Sequence, residues 1–513
     1  MRVVKYTFFC YPKKYLISIQ NFMIKTRFAP SPTGMLHVGN LRTALYSYLF
    51  ARHHGGKFML RVEDTDQGRF VEGAMENMIQ SLKWGGITID EGVDMDESGH
   101  LIQKGELGSY IQSERLPLYK KYALELIEKG HAYYCFCTKE RLDELRATQE
   151  ATKQPTMYDG FCHTLSAEVV AKNMEAGMSY VVRMNTPKDG DTTFQDLVRG
   201  EVTFQNKLID DQVLIKSDGF PTYHLAVVVD DHLMEVTHVL RAEEWLPSTP
   251  KHIILYQMFG WKVPEFAHLS WLINDQKQKL SKRHGDVSVE DFRAKGYLPE
   301  ALVNFISFLG WNPGDEREMF TVAELEKEFS AEKISKAGAV FNRDKLNWYN
   351  KEYIKKMDIV ELTERALPFL INAGIVAEHK NTEWLQKVVA LEKERMTVLS
   401  ELSESVGFVF ADMLEYDPTI LIWKKDTREG SKEKLSLLLA FLQTVDSEDW
   451  NLETLQEKLK TWITEKGFGV GDVLWPMRVS LSGRQNSPGP FEIADVLGKE
   501  KTLTRIETAI QKL

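Results

Sequence analysis

The chain has 513 residues, of which 43% are hydrophobic and 27% are charged, and its formal net charge is −10. This length exceeds what one hydrophobic core supports, so we expect two to four domains. The composition excludes a fibrous or wholly disordered protein, and no run of about 18 apolar residues predicts a membrane span. Four cysteines in this length do not form a disulfide framework, which indicates a reducing compartment.

Residues 1–22 contain four basic residues and no acidic residue. This composition permits either an organellar targeting segment or an extension ahead of a fold that opens at Met23. The segment is neither rich in serine nor clearly amphipathic, so we favour the extension. We therefore expect a cytoplasmic protein, with an organellar matrix as the alternative location.

The stretch Thr26–Asn40, TRFAPSPTGMLHVGN, is rich in proline and glycine and predicts a loop. The loop follows a short buried strand, and apolar residues from Leu41 onward recur at the spacing of an amphipathic helix. A strand, a loop and a helix N-terminus together bind phosphate, because backbone N–H groups and the helix dipole point at the anion. In such a site His37 would donate to a phosphoryl oxygen, and Gly39 would let an adenine or ribose approach the backbone.

A second polar stretch, Lys279–Arg283, has the sequence KLSKR. Taken alone, it reads as a solvated charge run, and the first stretch reads as a turn with one surface histidine. Together, HVGN and KLSKR resemble the two signatures of class I aminoacyl-tRNA synthetases, usually written HIGH and KMSKS. The words FAPSPTG, LRVEDTD, FPTYHLAVVVDDH and LRAEEWLPSTPKH narrow the resemblance to glutamyl-tRNA synthetases of the bacterial or organellar type. The resemblance runs from about Met23 to the C-terminus.

The resemblance implies a glutamate–tRNA ligase. ATP and L-glutamate would form glutamyl-adenylate and pyrophosphate, and the glutamyl group would pass to the 3′-terminal adenosine of tRNA(Glu). Because the net charge is −10, the tRNA would have to contact local basic surfaces. A monomer without membrane association is the form that the family leads us to expect.

The activation step needs aligned reactants and cations that stabilise charge on the phosphates, since a carboxylate is already a nucleophile. By resemblance, this catalytic role falls to His37, Lys279 and Lys282, with Mg²⁺ carried in on ATP. The residues that the resemblance assigns to ATP binding are His37, Gly39, Glu244, Lys279, Leu280, Ser281, Lys282 and Arg283.

Selection of glutamate over glutamine requires recognition of a second carboxylate, for which an arginine fork is well suited. Arg27 and Arg241 are the candidates, and a neutral amide would leave an arginine uncompensated at a cost on the order of a few kcal/mol. By resemblance, Glu63 binds the α-ammonium group of the amino acid, and Trp245 lines the same region. The predicted glutamate-binding residues are Arg27, Ala29, Ser31, Glu63, Tyr223 and Arg241.

Three cysteines, Cys135, Cys137 and Cys162, offer thiolates to one metal ion. Some members of the family hold a structural zinc ion here, with a histidine two residues after the third cysteine. The histidine of this sequence, His163, stands one place early. Either Tyr158 or His163 completes a structural Zn²⁺ site, or the metal is absent as it is in other members.

Strands that alternate with helices predict an α/β fold. We expect a doubly wound, parallel, Rossmann-like sheet with an inserted acceptor-stem domain, followed by an all-helical C-terminal region. Within it we expect buried strands at 225–229 and 269–273 and a surface loop over 85–115. The predicted domains are an N-terminal extension (1–22), the first half of the catalytic domain (23–130), the inserted domain (131–200), the second half of the catalytic domain (201–275), a stem-contact region with the KLSKR loop (276–346) and a helical anticodon-binding domain (347–513).

Several other functions share parts of this pattern. Glutaminyl-tRNA synthetase has β-barrel anticodon domains, whereas this C-terminus is predicted to be helical. The shorter paralogue that glutamylates queuosine lacks an anticodon domain, and a small nucleotidyltransferase would not need LWPMRV at Leu474–Val479. An inactive RNA-binding paralogue should have lost His37, Lys279 or Lys282. Whether tRNA(Gln) is also charged stays open.

Overall fold

The computed structural model describes residues 23–280, 286–377 and 382–513. The predictions for residues 1–22 and for Ser281, Lys282 and Arg283 lie outside the described residues. The strands are β1 (Lys25–Phe28), β2 (Lys57–Leu60), β3 (Glu91–Met95), β4 (Leu101–Lys104), β5 (Ala132–Cys135), β6 (Val181–Met184), β7 (Asp191–Asp196), β8 (Gly200–Gln205), β9 (Val213–Ile215), β10 (His238–Ala242), β11 (Glu265–Leu269), β12 (Leu272–Ile273) and β13 (Ala339–Val340).

Helices form the other regular elements, and after β13 the described chain consists of helices joined by turns and loops, without a strand. They are α1 (Val38–His53), α2 (Ala74–Trp84), α3 (Leu116–Glu128), α4 (Lys139–Ala151), α5 (Ala167–Glu175), α6 (Tyr223–Leu233), α7 (Thr249–Phe259), α8 (Val289–Ala294), α9 (Pro299–Ser307), α10 (Val322–Glu328), α11 (Arg343–Lys356), α12 (Ile359–Asn372), α13 (Glu383–Ala390), α14 (Glu401–Phe410), α15 (Arg428–Gln443), α16 (Leu452–Glu465), α17 (Val470–Ser482) and α18 (Pro490–Lys512). No helix in the described part of the chain is long and apolar enough to span a membrane.

The main sheet has eight strands in the order β4-β3-β2-β1-β10-β11-β7-β8. The six inner strands run parallel, and β4 and β8 pair antiparallel at the two edges. From β1 the chain proceeds to β2 and β3 on one side, whereas β10 and β11 lie on the other side. The carboxyl ends of β1 and β10 therefore form the crevice in which such sheets bind ligands. The predicted Rossmann-like fold with a helical C-terminal region is confirmed.

The apolar run 225–229 forms the middle of helix α6, so the predicted strand is wrong. A short continuous apolar run fits a buried strand and a buried helix equally well, because both are covered on all sides. All five side chains of the run are buried, and they pack in a small hydrophobic core with α3 and α7. As a consequence, Tyr223 and Asp231 project from a helix and not from a sheet edge.

The predicted surface loop over 85–115 is also wrong, since it contains β3 and β4. Every residue of β3 is buried despite two acidic side chains. Gly92 allows this pairing, because its φ is 111° and an added Cβ would lie 1.9 Å from the Leu60 carbonyl oxygen. Likewise, the predicted strand at 269–273 is two elements: β11 ends at Leu269, and β12 pairs with β13 outside the main sheet.

A second, three-stranded antiparallel sheet in the order β5-β6-β9 lies inside the split of the main sheet. The hairpin β7–β8 precedes β9 in the chain, yet β7 pairs with β11 of the main sheet through Asp196 and Phe266. The chain thus crosses between the two sheets more than once within 181–215. The three described cysteines lie at the end of β5 and in the short turn at Phe161–Thr164.

Candidate active site

A cavity of about 700 Å³ opens at the carboxyl ends of β1 and β10, beside the N-terminus of α6. Its wall contains all of the residues predicted to bind glutamate and two further residues, Glu244 and Trp245, that were predicted to line the same region. The predicted residues in its wall are Arg27, Ala29, Ser31, Glu63, Tyr223, Arg241, Glu244 and Trp245. His37, Gly39, Lys279 and Leu280 do not line it.

Arg27 is one end of a buried chain of charges behind the cavity wall. Its Nε donates to the Asp231 carboxylate at 3.2 Å, and Arg61 Nη1 donates to the same carboxylate at 2.7 Å. Arg61 Nη2 in turn donates to Glu63 Oε1 at 2.9 Å. All four side chains are at most 6% exposed. A buried ionised side chain is stable only with partners of opposite charge or hydrogen-bond partners. The network therefore fixes the positions of Arg27 and Glu63.

The two carboxylates of this chain differ in their pKa. Burial alone would raise the pKa of Asp231, but the guanidinium groups of Arg27 and Arg61 outweigh it and lower that pKa. Burial raises the pKa of Glu63, and its single arginine partner, Arg61, offsets this only in part. A cationic group of a ligand beside Glu63 would therefore strengthen the ionised form of that carboxylate.

Arg241 has a different environment from Arg27. The residue is 5% exposed, and among the described residues no carboxylate forms an ion pair with it. Its guanidinium donates only to uncharged acceptors, at 2.8 to 3.5 Å. These acceptors are Tyr223 Oη, Thr249 Oγ1, His252 Nδ1, His268 Nε2 and the Trp245 carbonyl oxygen. Burial lowers the pKa of Arg241, so the guanidinium is a desolvated cation next to a cavity.

The histidines that hold Arg241 are uncharged. Burial and then the charge of Arg241 lower the pKa of His252 far below its usual value. Burial also lowers the pKa of His268, although its Nδ1 lies 2.5 Å from Asp196 Oδ2. Sequence reasoning missed both histidines and Asp231, because a lone histidine or aspartate carries no signal of what it contacts. His252 is nevertheless the last residue of LRAEEWLPSTPKH, one of the motifs that carry the family resemblance.

His37 is the N-cap of α1, with extended backbone at φ −78° and ψ 145°. Its Nδ1 accepts the Gly39 N–H at 2.9 Å. A neutral imidazole that accepts at Nδ1 carries its hydrogen on Nε2, which is then the donor. The Gly39 N–H is thus committed to His37, and an added Cβ at Gly39 would lie 3.2 Å from Nδ1. Glycine at this position keeps the histidine ring in its orientation.

Lys279 forms an ion pair with Glu244 of the cavity wall. Both side chains are largely exposed, at 55% for the lysine and 42% for the glutamate. The residues on either side of 281–285 are anchored: the Leu280 N–H donates to Leu272 O on β12, and Val287 O accepts from the Val38 N–H. The segment after KLSKR is therefore hydrogen-bonded to the first turn of α1, next to His37.

The three cysteines form one cluster in which the sulfur atoms lie within 4.8 Å of one another. The Cys137 and Cys162 sulfurs are 3.5 Å apart, and Tyr158 Oη lies 3.4 Å from Cys135 Sγ and 3.3 Å from Cys137 Sγ. His163 is directed elsewhere, with its ring against Tyr133 at 5.0 Å. Three thiols at these separations match the sulfur-rich ligand set that zinc prefers, and the Tyr158 hydroxyl lies beside them.

Two arginines lie beside the cysteine cluster. The Arg183 guanidinium stacks over the Tyr158 ring at 4.1 Å, and Arg141 Nη1 donates to Cys137 Sγ at 3.5 Å. The hydrogen bond between Cys135 and Tyr158 and the charge of Arg183 lower the pKa of Cys135 in spite of its burial. Positive charge at this position would offset the negative charge of three thiolates around a metal ion.

The chain matches two family profiles. The profile described as "tRNA synthetases class I (E and Q), catalytic domain" matches residues 23–348, and the one described as "Anticodon binding domain" matches residues 361–510. The second match covers the region that the shorter, queuosine-modifying paralogue lacks.

Individual relatives agree with these matches. The glutamate–tRNA ligase of Clostridioides difficile (strain 630) is 48% identical over 492 residues, which is 94% of this chain and 98% of the relative. That of Alkaliphilus metalliredigens (strain QYMF) is 49% identical over 490 residues, with the same two coverages. The crystal structure of a glutamate tRNA ligase from Elizabethkingia meningosepticum, in complex with its amino acid, aligns with a TM-score of 0.85 at 35% identity, over 95% of this chain and 99% of that chain. As the two signature motifs predicted, the chain belongs to the glutamate–tRNA ligases of the class I aminoacyl-tRNA synthetases.

Proposed function

We propose that the cavity binds L-glutamate with its side-chain carboxylate at Arg241 and its α-ammonium group at Glu63. The environment of Arg241 is the main support, because this buried guanidinium has only neutral acceptors among the described residues and borders the cavity. A desolvated cation without an ion-pair partner attracts an anionic ligand. Arg27 lies in the same wall and is a second glutamate-binding residue of this proposal, although it is already paired with Asp231, the carboxylate that it shares with Arg61.

The same arrangement disfavours glutamine. A neutral side-chain amide leaves the charge of Arg241 uncompensated, which costs about 1–3 kcal/mol relative to a carboxylate. Tyr223 Oη accepts from Arg241, so its own hydrogen is left to donate to a ligand oxygen. Ser31 and Ala29 complete the glutamate pocket as the side of the cavity next to β1.

In the activation step, the α-carboxylate of glutamate attacks the α-phosphorus of ATP, and the bond to the pyrophosphate oxygen breaks. We assign stabilisation of the charge on the phosphates to His37, through its Nε2–H, and to Lys279 and Lys282. ATP carries Mg²⁺, which supplies further positive charge to its phosphates. The nucleotide would contact Gly39, Glu244, Leu280, Ser281 and Arg283. When ATP binds, its phosphates would replace Glu244 as the partner of Lys279.

In the transfer step, the 2′-hydroxyl oxygen of the terminal adenosine of tRNA(Glu) attacks the carbonyl carbon of glutamyl-adenylate, and AMP leaves. The inserted domain (131–200) would hold the acceptor stem, and the helical region (347–513) would hold the anticodon. In the chain, the first catalytic half (23–130) precedes the inserted domain, and the second catalytic half (201–275) and the stem-contact region (276–346) lie between the inserted domain and the helical region. We propose that the protein works as a cytoplasmic monomer, which light scattering of the purified chain tests.

We further propose that Cys135, Cys137, Cys162 and Tyr158 hold a structural Zn²⁺. Bound metal would tie the end of β5 to the turn at 161–164 and take no part in the chemistry. Metal analysis of the purified full chain should find about one zinc per chain, and none in Cys162→Ser. Cys10→Ser is the matched control and should keep its zinc. A wild-type protein without zinc that charges tRNA would overturn this assignment.

Charging assays test the function directly. Radiolabelled glutamate is supplied with ATP and either purified tRNA(Glu) or purified tRNA(Gln). Product on tRNA(Glu) alone means an enzyme that discriminates between the two tRNAs, and product on both means one that does not. Folded protein that charges neither tRNA would contradict the proposed activity of the cavity.

A further inference from the structure

His252 and His224 extend the surroundings of Arg241 into a directed hydrogen-bond chain. Arg241 Nη1 lies 3.2 Å from His252 Nδ1, and His252 Nε2 lies 3.0 Å from His224 Nδ1. A guanidinium has only hydrogens to give, so His252 Nδ1 must be the acceptor. The hydrogen of His252 therefore sits on Nε2, where it is donated to His224. The chain runs from Arg241 through buried His252 to half-buried His224.

Among the described residues, the charged or titratable groups with the largest effect on His252 all disfavour its charged form. These groups are Arg241, His224, Arg27 and Lys251. A protonated His252 would also direct an N–H at the guanidinium and lose the hydrogen bond. His252 thus supplies Arg241 with a hydrogen-bond acceptor that brings no negative charge.

We propose that His252, supported by His224, is a positioning residue that sets the preference of the cavity for a carboxylate side chain over an amide. It fixes the direction of the Arg241 fork as an aspartate or glutamate would, but it leaves the charge of the guanidinium for the ligand. An acidic residue in its place would form an ion pair with Arg241 within the protein. A ligand carboxylate would then add little to the free energy of binding. This inference rests on the proposed binding of the glutamate side chain by Arg241.

Arg27, on the same cavity wall, differs from Arg241 in that its hydrogen-bond acceptor is negatively charged. Arg27 is held by Asp231, whose negative charge it shares with Arg61. One arginine of the pocket is therefore neutralised by its support and the other is not. The difference in support, and not the presence of an arginine, would decide which one pairs with the ligand.

Substitutions that keep or remove neutrality test this inference. His252→Asn retains an acceptor near the position of Nδ1, whereas His252→Asp adds a negative charge beside the guanidinium. We expect His252→Asp to raise the KM for L-glutamate in tRNA charging at least about 10-fold, with little change in the KM for ATP or in inhibition by L-glutamine. His252→Asn should stay within about 3-fold of wild type. His224→Asp, one residue further from Arg241, should give a smaller rise than His252→Asp, and His224→Asn none.

The controls separate this effect from a loss of packing. His238 is a buried histidine at the start of β10, the strand that carries Arg241. His238→Asp and His238→Asn should not change the preference for glutamate over glutamine. Equal KM values for glutamate in folded His252→Asp and His252→Asn would overturn the inference. If His252→Asp does not fold, equal values in His224→Asp and His224→Asn overturn it instead. An unchanged KM for glutamate in Arg241→Gln would show that the proposed role of Arg241, on which the inference rests, is itself wrong.

Discussion

The two ends of the cavity are built in different ways. At the end that we assign to the amino acid, Arg27, Arg61 and Asp231 form ion pairs in which every side chain is nearly inaccessible to water. At the end that we assign to the nucleotide, Glu244 of the wall pairs with Lys279, which lies outside the wall, and both side chains are about half exposed. Buried charges are placed by folding itself, whereas exposed ones exchange partners at little cost. Recognition of glutamate should therefore be coupled to stability, and handling of ATP should not.

The largest effect is expected where the buried network is broken. Asp231→Asn removes the carboxylate that Arg27 and Arg61 share. The buried Arg27 then has no carboxylate partner among the described residues, and Arg61 keeps Glu63. We expect a loss of about 3–5 kcal/mol in the free energy of unfolding. Urea denaturation followed by circular dichroism measures it. A loss below about 1 kcal/mol would mean that the charged groups at the two ends of the cavity contribute similarly to the free energy of unfolding.

At the nucleotide end, Lys279→Ala should separate activity from stability. Removal of one group that stabilises charge in a transition state typically costs about 10²–10³ in kcat. The free energy of unfolding should change by less than about 1 kcal/mol, because the pair with Glu244 is exposed. Single-turnover charging and urea denaturation of the same preparation test both statements. Loss of folding together with activity would contradict the assigned role.

A smaller effect concerns pH and the histidines behind Arg241. Burial lowers the pKa of His224 to about 3 in the folded state, against 6.5 for an ordinary histidine. The unfolded chain binds the extra proton first, so the stability present above pH 6.5 is lost as the pH falls towards 3. Between pH 7.5 and 5.5, His224 should account for a loss of about 1.4 kcal/mol. His224→Asn should reduce the loss over this range by that amount, and an unchanged loss would contradict the account.

The sequence predicted the structure best where local residue types or a family motif fix the local conformation or the role of a residue. The loop before α1 was predicted from its proline and glycine residues, and the helix after it was predicted from the spacing of its apolar residues. The cavity residues Arg27, Glu63 and Arg241 were predicted from the family motifs that contain them. The run 225–229 was assigned to a strand because apolar content does not distinguish a buried strand from a buried helix. β3 was overlooked because its acidic residues are neutralised by lysines distant in the sequence, as Lys25 pairs with Glu91.

The supports of the cavity could not be predicted in the same way. His252 and Asp231 act on arginines that lie 11 and 204 residues away in the chain, so no local pattern links them. Their roles follow from the sheet topology, which brings β1, β10 and α6 to one crevice. The contrast between a neutralised Arg27 and an uncompensated Arg241 exists only in three dimensions.

The most direct test of that contrast is the affinity for L-glutamate of wild type, Arg241→Gln and the control Arg199→Gln, measured by isothermal titration calorimetry. Arg199 pairs with Glu243 and does not line the cavity. Loss of one charge-assisted contact of about 1.5–3 kcal/mol predicts a Kd that is roughly 10- to 150-fold higher in Arg241→Gln, with no change in Arg199→Gln. An unchanged Kd in folded Arg241→Gln would contradict the claim that this uncompensated guanidinium is the anion site of the cavity.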